Sequence, residues 1–265
     1  MAQGLAARIY TIIPENNRIE RIWLLAKTDF NIQYSSNALG VIWAFVYPLM
    51  RILIYYVVFS FVFAKDIPNY GFYIFSGIMI WMYFQESTKG GLKVMRSKRY
   101  LLENIRFNKL DVYYASILTN LIGFLVNISV FLAMMIITGL PITWKLIYYP
   151  IFIINLMMLC LGLSLILSTI NVYLKDISQL WELVLLLMFW INPIFFAKQK
   201  IFNMFPALLY ANPLAGIIIN SRDVIMYGKD PDWFLVGYNY VLAGSILAIG
   251  VWSFNKFFHK AIEKI

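Results

Sequence analysis

NVYLKDISQLWELVLLLMFWINPIFFAKQKIFNMFPALLYANPLAGIIINSRD, residues 171–223, is the stretch on which the fold turns. A short polar hinge, residues 171–179, leads into residues 180–197, an apolar run broken only by Glu182 and the pair Asn192-Pro193. Eighteen residues at about 1.5 Å each come close to the thickness of a bilayer's hydrocarbon core, so this run is expected to span a membrane. Residues 201–219 are again mostly apolar, but Pro206 and Asn212-Pro213 cut them into pieces too short to cross. Broken helix at membrane depth needs protein or water to satisfy its backbone, so this segment is expected to dip into one leaflet or lie in the interface.

Composition places the rest of the chain in the same solvent. The 265 residues are 62% hydrophobic and 13% charged, with mean hydropathy +0.73, too few charges to coat a soluble globule of that length. The net charge of +9 therefore points to basic loops facing anionic lipid, not to a nucleic-acid partner. Cys160 is the single cysteine, set in an apolar run, and fits a small core residue. A cleavable signal peptide is not expected, because Arg8 interrupts the early apolar stretch and residues 14–17 end it.

Five further apolar runs, at 41–64, 70–85, 115–138, 146–170 and 235–257, bring the expectation to an all-α membrane protein of six transmembrane helices. A broken extracytoplasmic hairpin then lies between helices five and six. The chain divides into a cytoplasmic amphipathic interface region, residues 1–40, and a six-helix domain, residues 41–265. In the first of these, Ile19, Ile22, Trp23, Ala26 and Phe30 recur at helical spacing, with Arg18, Arg21 and Asp29 off that face. Such a helix suits the surface of an anionic leaflet. Placing 1–40, 86–114, 171–179 and 256–265 in the cytoplasm puts fifteen Lys and Arg there against six in the outer segments, Arg222 among the six. That bias expects both termini inside.

Catalysis is not expected. The sole histidine, His259, sits in a basic tail, and no paired carboxylates, Cys/His spacing or phosphate-cradling GxxxxGK[ST] appears; Gly228-Lys229 is followed by Asp230. ATP-driven transport would therefore need a second polypeptide as motor. Two elements could receive it: residues 86–114, where Arg96 and Arg99 are interleaved with an apolar edge of Leu101, Leu102 and Ile105, and the hinge with Lys175 and Asp176. Arg51 falls near the middle of the first apolar run, an expensive place for a cation. Tyr47, Arg51 and Tyr55 form a stripe with Trp43 and Phe59 at its ends, suited to a phosphate-linked sugar chain through stacking and guanidinium contacts. Alternatively Arg51 pairs with Glu86 or Glu182.

Several motifs, in this order, resemble the ABC-2-type permeases that export O-antigen, capsular and teichoic-acid polysaccharides. Phe30-x-x-Gln33-Tyr34-x-Ser36-x-x-Leu39-Gly40-x-x-Trp43-x-x-x-x-Pro48-Leu49 is similar to the entry to their first span, with Gln33 where a basic residue is expected. Lys175-Asp176-Ile177, Asn192-Pro193-Ile194-Phe195-Phe196, Asn212-Pro213-Leu214 and Arg222-Asp223 are similar to their second block. Residues 101–107 match the cytoplasmic loop loosely, without the proline after Phe107. The resemblance implies a permease subunit in the bacterial cytoplasmic membrane, working as a homodimer bound by two ATPase subunits that hold ATP and Mg, with an undecaprenyl-pyrophosphate-linked polysaccharide as cargo. It also implies that the N-terminal helix, with Arg18 and Arg21, and residues 86–114 couple to the motor. Spans one and five would line the path, the latter through Phe189, Asn192 and Phe196. Phe202, Phe205, Tyr210, Asn212 and Pro213 would shape the outer mouth. A permease for drugs or simple lipids, and an integral-membrane glycosyl or acyl transferase, are the competing readings; the transferase would want clustered acidic or histidine side chains at one interface.

Overall fold

A computed structural model describes residues 17–35, 67–104, 108–196 and 206–264, together with residues 40–43, 46–47, 49–50, 53–54 and 57–58. All regular structure among them is helical. The elements are α1 (Arg18–Ser35), a 3-10 turn (Gly40–Ile42), α2 (Tyr70–Ser97), α3 (Arg99–Asn104), α4 (Leu110–Ile137), a 3-10 turn (Trp144–Tyr148) running into α5 (Tyr149–Tyr173), α6 (Ile177–Ile191), α7 (Pro206–Ala211), α8 (Pro213–Ile225) and α9 (Trp233–Glu263). Three of these, Leu110–Ile137, Trp144–Tyr173 and Trp233–Glu263, are long and apolar enough to cross a membrane.

The centre of the molecule is α2, whose Ile74, Phe75, Ile78, Met79, Ile80 and Phe84 are buried. Sequence alone ends this helix near residue 85, but it continues to Ser97, twelve residues into the expected basic loop. The extension holds because Ser87, Thr88, Gly91, Leu92, Val94 and Met95 keep a buried face while Lys89, Lys93 and Arg96 take the others. α4 runs antiparallel to α2, with Phe131 edge-on to Phe75 at one end and Tyr83 donating to the Ile117 carbonyl further along. α5 runs parallel to α2: Ser164 bonds the Ser87 carbonyl, and Asn171 bonds that of Leu92.

α5 and α9 also run parallel, as Tyr240 Oη bonds the Ile151 carbonyl at 2.6 Å and Tyr173 meets Phe257 at the far end. Midway the two backbones touch. A Cβ on Gly250 would lie 2.6 Å from the Gly162 carbonyl oxygen, and one on Gly162 would lie 2.7 Å from the Leu247 nitrogen. Close approach of this kind gives helices in lipid their packing energy, since lipid tails remove the hydrophobic drive between them. Gly250→Ala is therefore expected to push the helices apart and cost about 1–3 kcal/mol, read as a lower melting temperature in detergent.

The arginine face of α1 packs inward. Ile19 and Trp23 are exposed, whereas Arg21, Leu25, Ala26 and Thr28 are buried. The helix lies alongside the first turns of α4 and parallel to it: Arg18 and Arg21 reach Asp111, and Thr119 Oγ1 donates to the Ala26 carbonyl. A buried carboxylate on α4 has drawn the arginine face inward. Lys98, just after α2, clamps the other end of α1 through an ion pair with Asp29.

α6 is shorter than the run expected at 180–197. Its fifteen residues end at Ile191, because the residue before a proline is pushed out of helical conformation, and Asn192 takes φ −70° and ψ 145°. At about 1.5 Å per residue this helix spans about 22 Å, less than a bilayer core, so the turns and bends of residues 192–196 carry the chain onward.

Candidate functional site

The two Asn-Pro steps and Arg222, separate in sequence, meet in one buried knot. Asn192 and Asn212 are both buried, and Asn212 Nδ2 donates to Asn192 Oδ1 at 3.1 Å. Each amide also serves its own segment. Asn192 Nδ2 bonds the Met188 carbonyl at 2.7 Å and closes the end of α6, while Asn212 Oδ1 accepts the Leu214 amide and caps α8, where Pro213 opens the helix.

Arg222 on α8 ties this knot to α2. It is 3% exposed, and its guanidinium donates in three directions: Nε to Ser76 Oγ at 3.0 Å, Nη1 to the Pro193 carbonyl at 2.8 Å and Nη2 to the Tyr73 carbonyl at 3.1 Å. The Tyr73 ring lies 3.6 Å beneath it. Two tyrosines hold the following residues, Tyr70 Oη on the Phe195 carbonyl at 3.0 Å and Tyr73 Oη on that of Phe196 at 2.7 Å. The carbonyls of residues 193, 195 and 196, which lie outside any helix, thus find donors from α2 and α8. Gly77 makes room, since a Cβ there would sit 2.6 Å from Arg222 Nη2. The arrangement performs no bond chemistry. It fixes a helix break and aims the chain from α6 toward α8.

Five of the eight expected path residues, Trp43, Tyr47, Phe189, Asn192 and Phe196, fall among the described residues. Trp43 and Tyr47 are exposed, and Arg51, Tyr55 and Phe59 lie outside the described residues. Phe189 is buried against Trp81, Trp190 and Phe195, Asn192 is inside the knot, and Phe196 is half-buried beside it. Glu182, one of the partners considered for Arg51, lies 3.4 Å from Lys89. Beside that pair runs a cleft of about 490 Å³ between α2 and α6, walled by Trp81, Phe189 and Trp190.

Among the outer-mouth residues, Phe202 and Phe205 lie outside the described residues. Tyr210 is exposed and stands edge-on to Tyr238 at 5.4 Å, while Asn212 and Pro213 belong to the knot.

At the opposite end, Asp111 is fully buried and bound by two arginines: Arg21 through Nη2 at 2.6 Å and Nε at 3.2 Å, and Arg18 through Nε at 2.8 Å. Arg18 also stands over the Tyr114 ring at 5.6 Å. Arg96 donates to the Asn171 carbonyl at 2.6 Å, tying α2 to the end of α5. Arg99 pairs with Glu103 one turn on. Lys175 and Asp176 are exposed at the turn before α6, and Ile105 lies outside the described residues.

The apolar edge expected of Leu101 and Leu102 faces inward. Both are buried in this chain's own core, so neither offers a knob to a partner; beside them Tyr100 is exposed and Arg99 partly so. Leu101→Asp is accordingly expected to destabilise the chain itself, lowering its melting temperature in the absence of any partner, because it buries an unpaired carboxylate.

Asp111, Ser76, Tyr70 and Tyr73 escape the sequence reading. For Asp111 the available signal is an acid in the first turn of a long apolar helix, where it complements the helix dipole.

Three helices long and apolar enough to cross a membrane, with a helix break held from within, fit a polytopic membrane protein. The chain belongs to the ABC-2 type transporter family, which matches residues 20–226. It is 28% identical over 247 residues to an O-antigen export system permease protein, RfbA, of Klebsiella pneumoniae, covering 91% of this chain and 93% of that one. A protein of the same name from Myxococcus xanthus is 26% identical over 210 residues, covering 78% of this chain and 81% of its own. The polysialic acid transport protein KpsM of Escherichia coli is 21% identical over 238 residues, 84% of this chain and 88% of that one. These relatives are permeases and transport proteins, and the chain is a transport permease and not an enzyme.

Proposed function

We propose that this chain is the membrane subunit of an ATP-driven exporter that moves a lipid-linked polysaccharide, on an undecaprenyl-pyrophosphate carrier, from the cytoplasm to the outer side of the cytoplasmic membrane. The observation that carries this is similarity along most of the chain to permeases named for O-antigen and polysialic acid. The site supports it: the family-like blocks at 192–196, 212–214 and 222–223 build one structural unit, the knot, which holds a broken helix at the position where cargo would leave.

In this proposal the chain crosses six times with both termini inside, and the excess of Lys and Arg in the segments assigned to the cytoplasm supports that orientation. Two copies pair, since one copy leaves little room for a polar channel. Two ATPase subunits, holding ATP and Mg, dock at the cytoplasmic end, where Arg99, Tyr100, Lys175 and Asp176 are exposed or partly exposed. Deleting the reading frame is expected to remove surface polysaccharide while lipid-linked polymer accumulates inside, with recovery on complementation. Undiminished surface polymer in the deletion strain overturns the proposal.

A further inference from the structure

The far ends of α5 and α9 leave a groove that the export reading does not use. Where the backbones touch at Gly162 and Gly250 no space remains, but further along the helices separate around a groove of about 410 Å³. Its walls are Ile166, Ile170 and Tyr173 on one side and Ile249 and Phe257 on the other. Of the three hydroxyl residues in it, two are already spent within their helices, Thr169 on the Leu165 carbonyl at 2.8 Å and Ser253 on that of Gly250 at 3.0 Å, and the third, Tyr173, stands at the wide end. Between the helices the surface is therefore mainly apolar.

The wide end is different. Lys260 lines it, and Lys264 reaches across to the Tyr173 ring, its Nζ 4.7 Å from the centroid. Lys256 stands one turn back, with Nζ 4.6 Å from the Trp252 ring. Residues 249, 253, 256, 260 and 264 fall on one stripe of α9, so the same face passes from apolar to cationic over about four turns. That is the profile of a phospholipid: an apolar trough for a chain and positive charge at the level of the phosphate.

We propose that this groove binds one anionic phospholipid, its acyl chain against Ile170, Ile249 and Phe257 and its phosphate at Lys260 and Lys264. The charge selects the occupant. A zwitterionic lipid would place its own cation beside three lysines, whereas an anionic headgroup gains from each of them. The site concerns ordinary membrane lipid and does not depend on the identity of the cargo.

The test is native mass spectrometry of the purified full-length chain in non-ionic detergent, titrated separately with phosphatidylglycerol, phosphatidylcholine, glycerol 3-phosphate and a polyprenyl phosphate. Phosphatidylglycerol is expected to be retained about tenfold better than phosphatidylcholine. The double variant K260Q/K264Q should abolish that preference, and Ser253→Trp, which fills the trough with all lysines in place, should lower retention of both lipids. Ile249→Trp fills the same trough from a more exposed position and serves if Ser253→Trp does not fold. Equal retention of the two lipids by the unaltered chain overturns the site. So does an unchanged preference in K260Q/K264Q, or equal retention after the trough is filled, since binding would then be headgroup adsorption alone. Glycerol 3-phosphate binding as well as phosphatidylglycerol would show a phosphate site without a chain site, and polyprenyl phosphate that phosphatidylglycerol fails to displace would make the groove a carrier site; either result rejects the phospholipid.

Discussion

Arg222→Ala is expected to cut polymer export at least tenfold and to lower the melting temperature of the purified chain, and Arg222→Lys is expected to recover little of either. The alanine variant strands the Pro193 carbonyl in a buried setting, at a cost of about 1–3 kcal/mol, and takes one of their partners from the Tyr73 carbonyl and the Ser76 hydroxyl, which remain bonded to each other at 2.9 Å. It also removes the group that links α8 to α2 across the break after α6. Lysine restores charge but offers its donors from a single point, and it cannot reach three acceptors that the planar guanidinium meets from three nitrogens. Tyr73→Phe makes a graded comparison, because it loses the bond to the Phe196 carbonyl at 2.7 Å and keeps a ring under Arg222. Melting curves and surface-polymer assays on the three variants check the order: Arg222→Ala worst, Arg222→Lys close to it, Tyr73→Phe mildest. An Arg222→Ala protein that melts and exports like the unaltered chain removes the knot from the account.

Asp111→Ala is the second large effect. It leaves Arg21, 4% exposed, without its buried carboxylate, a change expected to cost about 3–5 kcal/mol. The Arg18 contact adds little, since that side chain is half exposed. Because Asp111 holds the arginine face of α1 inward, the variant should release α1 from α4 and open its backbone to trypsin at buried Arg21 and at Lys27, which is exposed but held in the helix. The double variant D111L/R21M should regain much of the stability, as apolar groups of similar size tolerate the site once both charges are gone. Limited proteolysis with melting curves reads both effects. Protection of α1 in Asp111→Ala equal to that in the unaltered chain contradicts the brace.

These two residues also show where sequence stopped being informative. Hydropathy located the long helices, and Pro206 and Asn212-Pro213 located the short ones that follow, because both signals are local: an apolar run of fixed length, and a proline that excludes helix from the residue before it; the run read across Asn192-Pro193 to residue 197 ends instead at Ile191. Arg222 was counted with solvated outer cations because its three acceptors come from residues 29 to 149 positions away, invisible to any window along the chain. The inward turn of α1 has the same origin. Apolar periodicity sets Arg18 and Arg21 off the apolar face but carries no sign of the carboxylate that pairs with them, since Asp111 lies 90 or more positions away. Leu101 and Leu102 misled for a related reason, since apolar residues between charges fit a partner's groove and this chain's own core equally well.

The central claim, a permease with no motor of its own, is tested most directly by reconstitution. The purified chain in proteoliposomes, with and without a co-purified ATPase subunit, is supplied with ATP, Mg and lipid-linked polymer on one side. Polymer should reach the other side only when both proteins and ATP are present. Translocation or ATP hydrolysis by this chain alone would contradict the account.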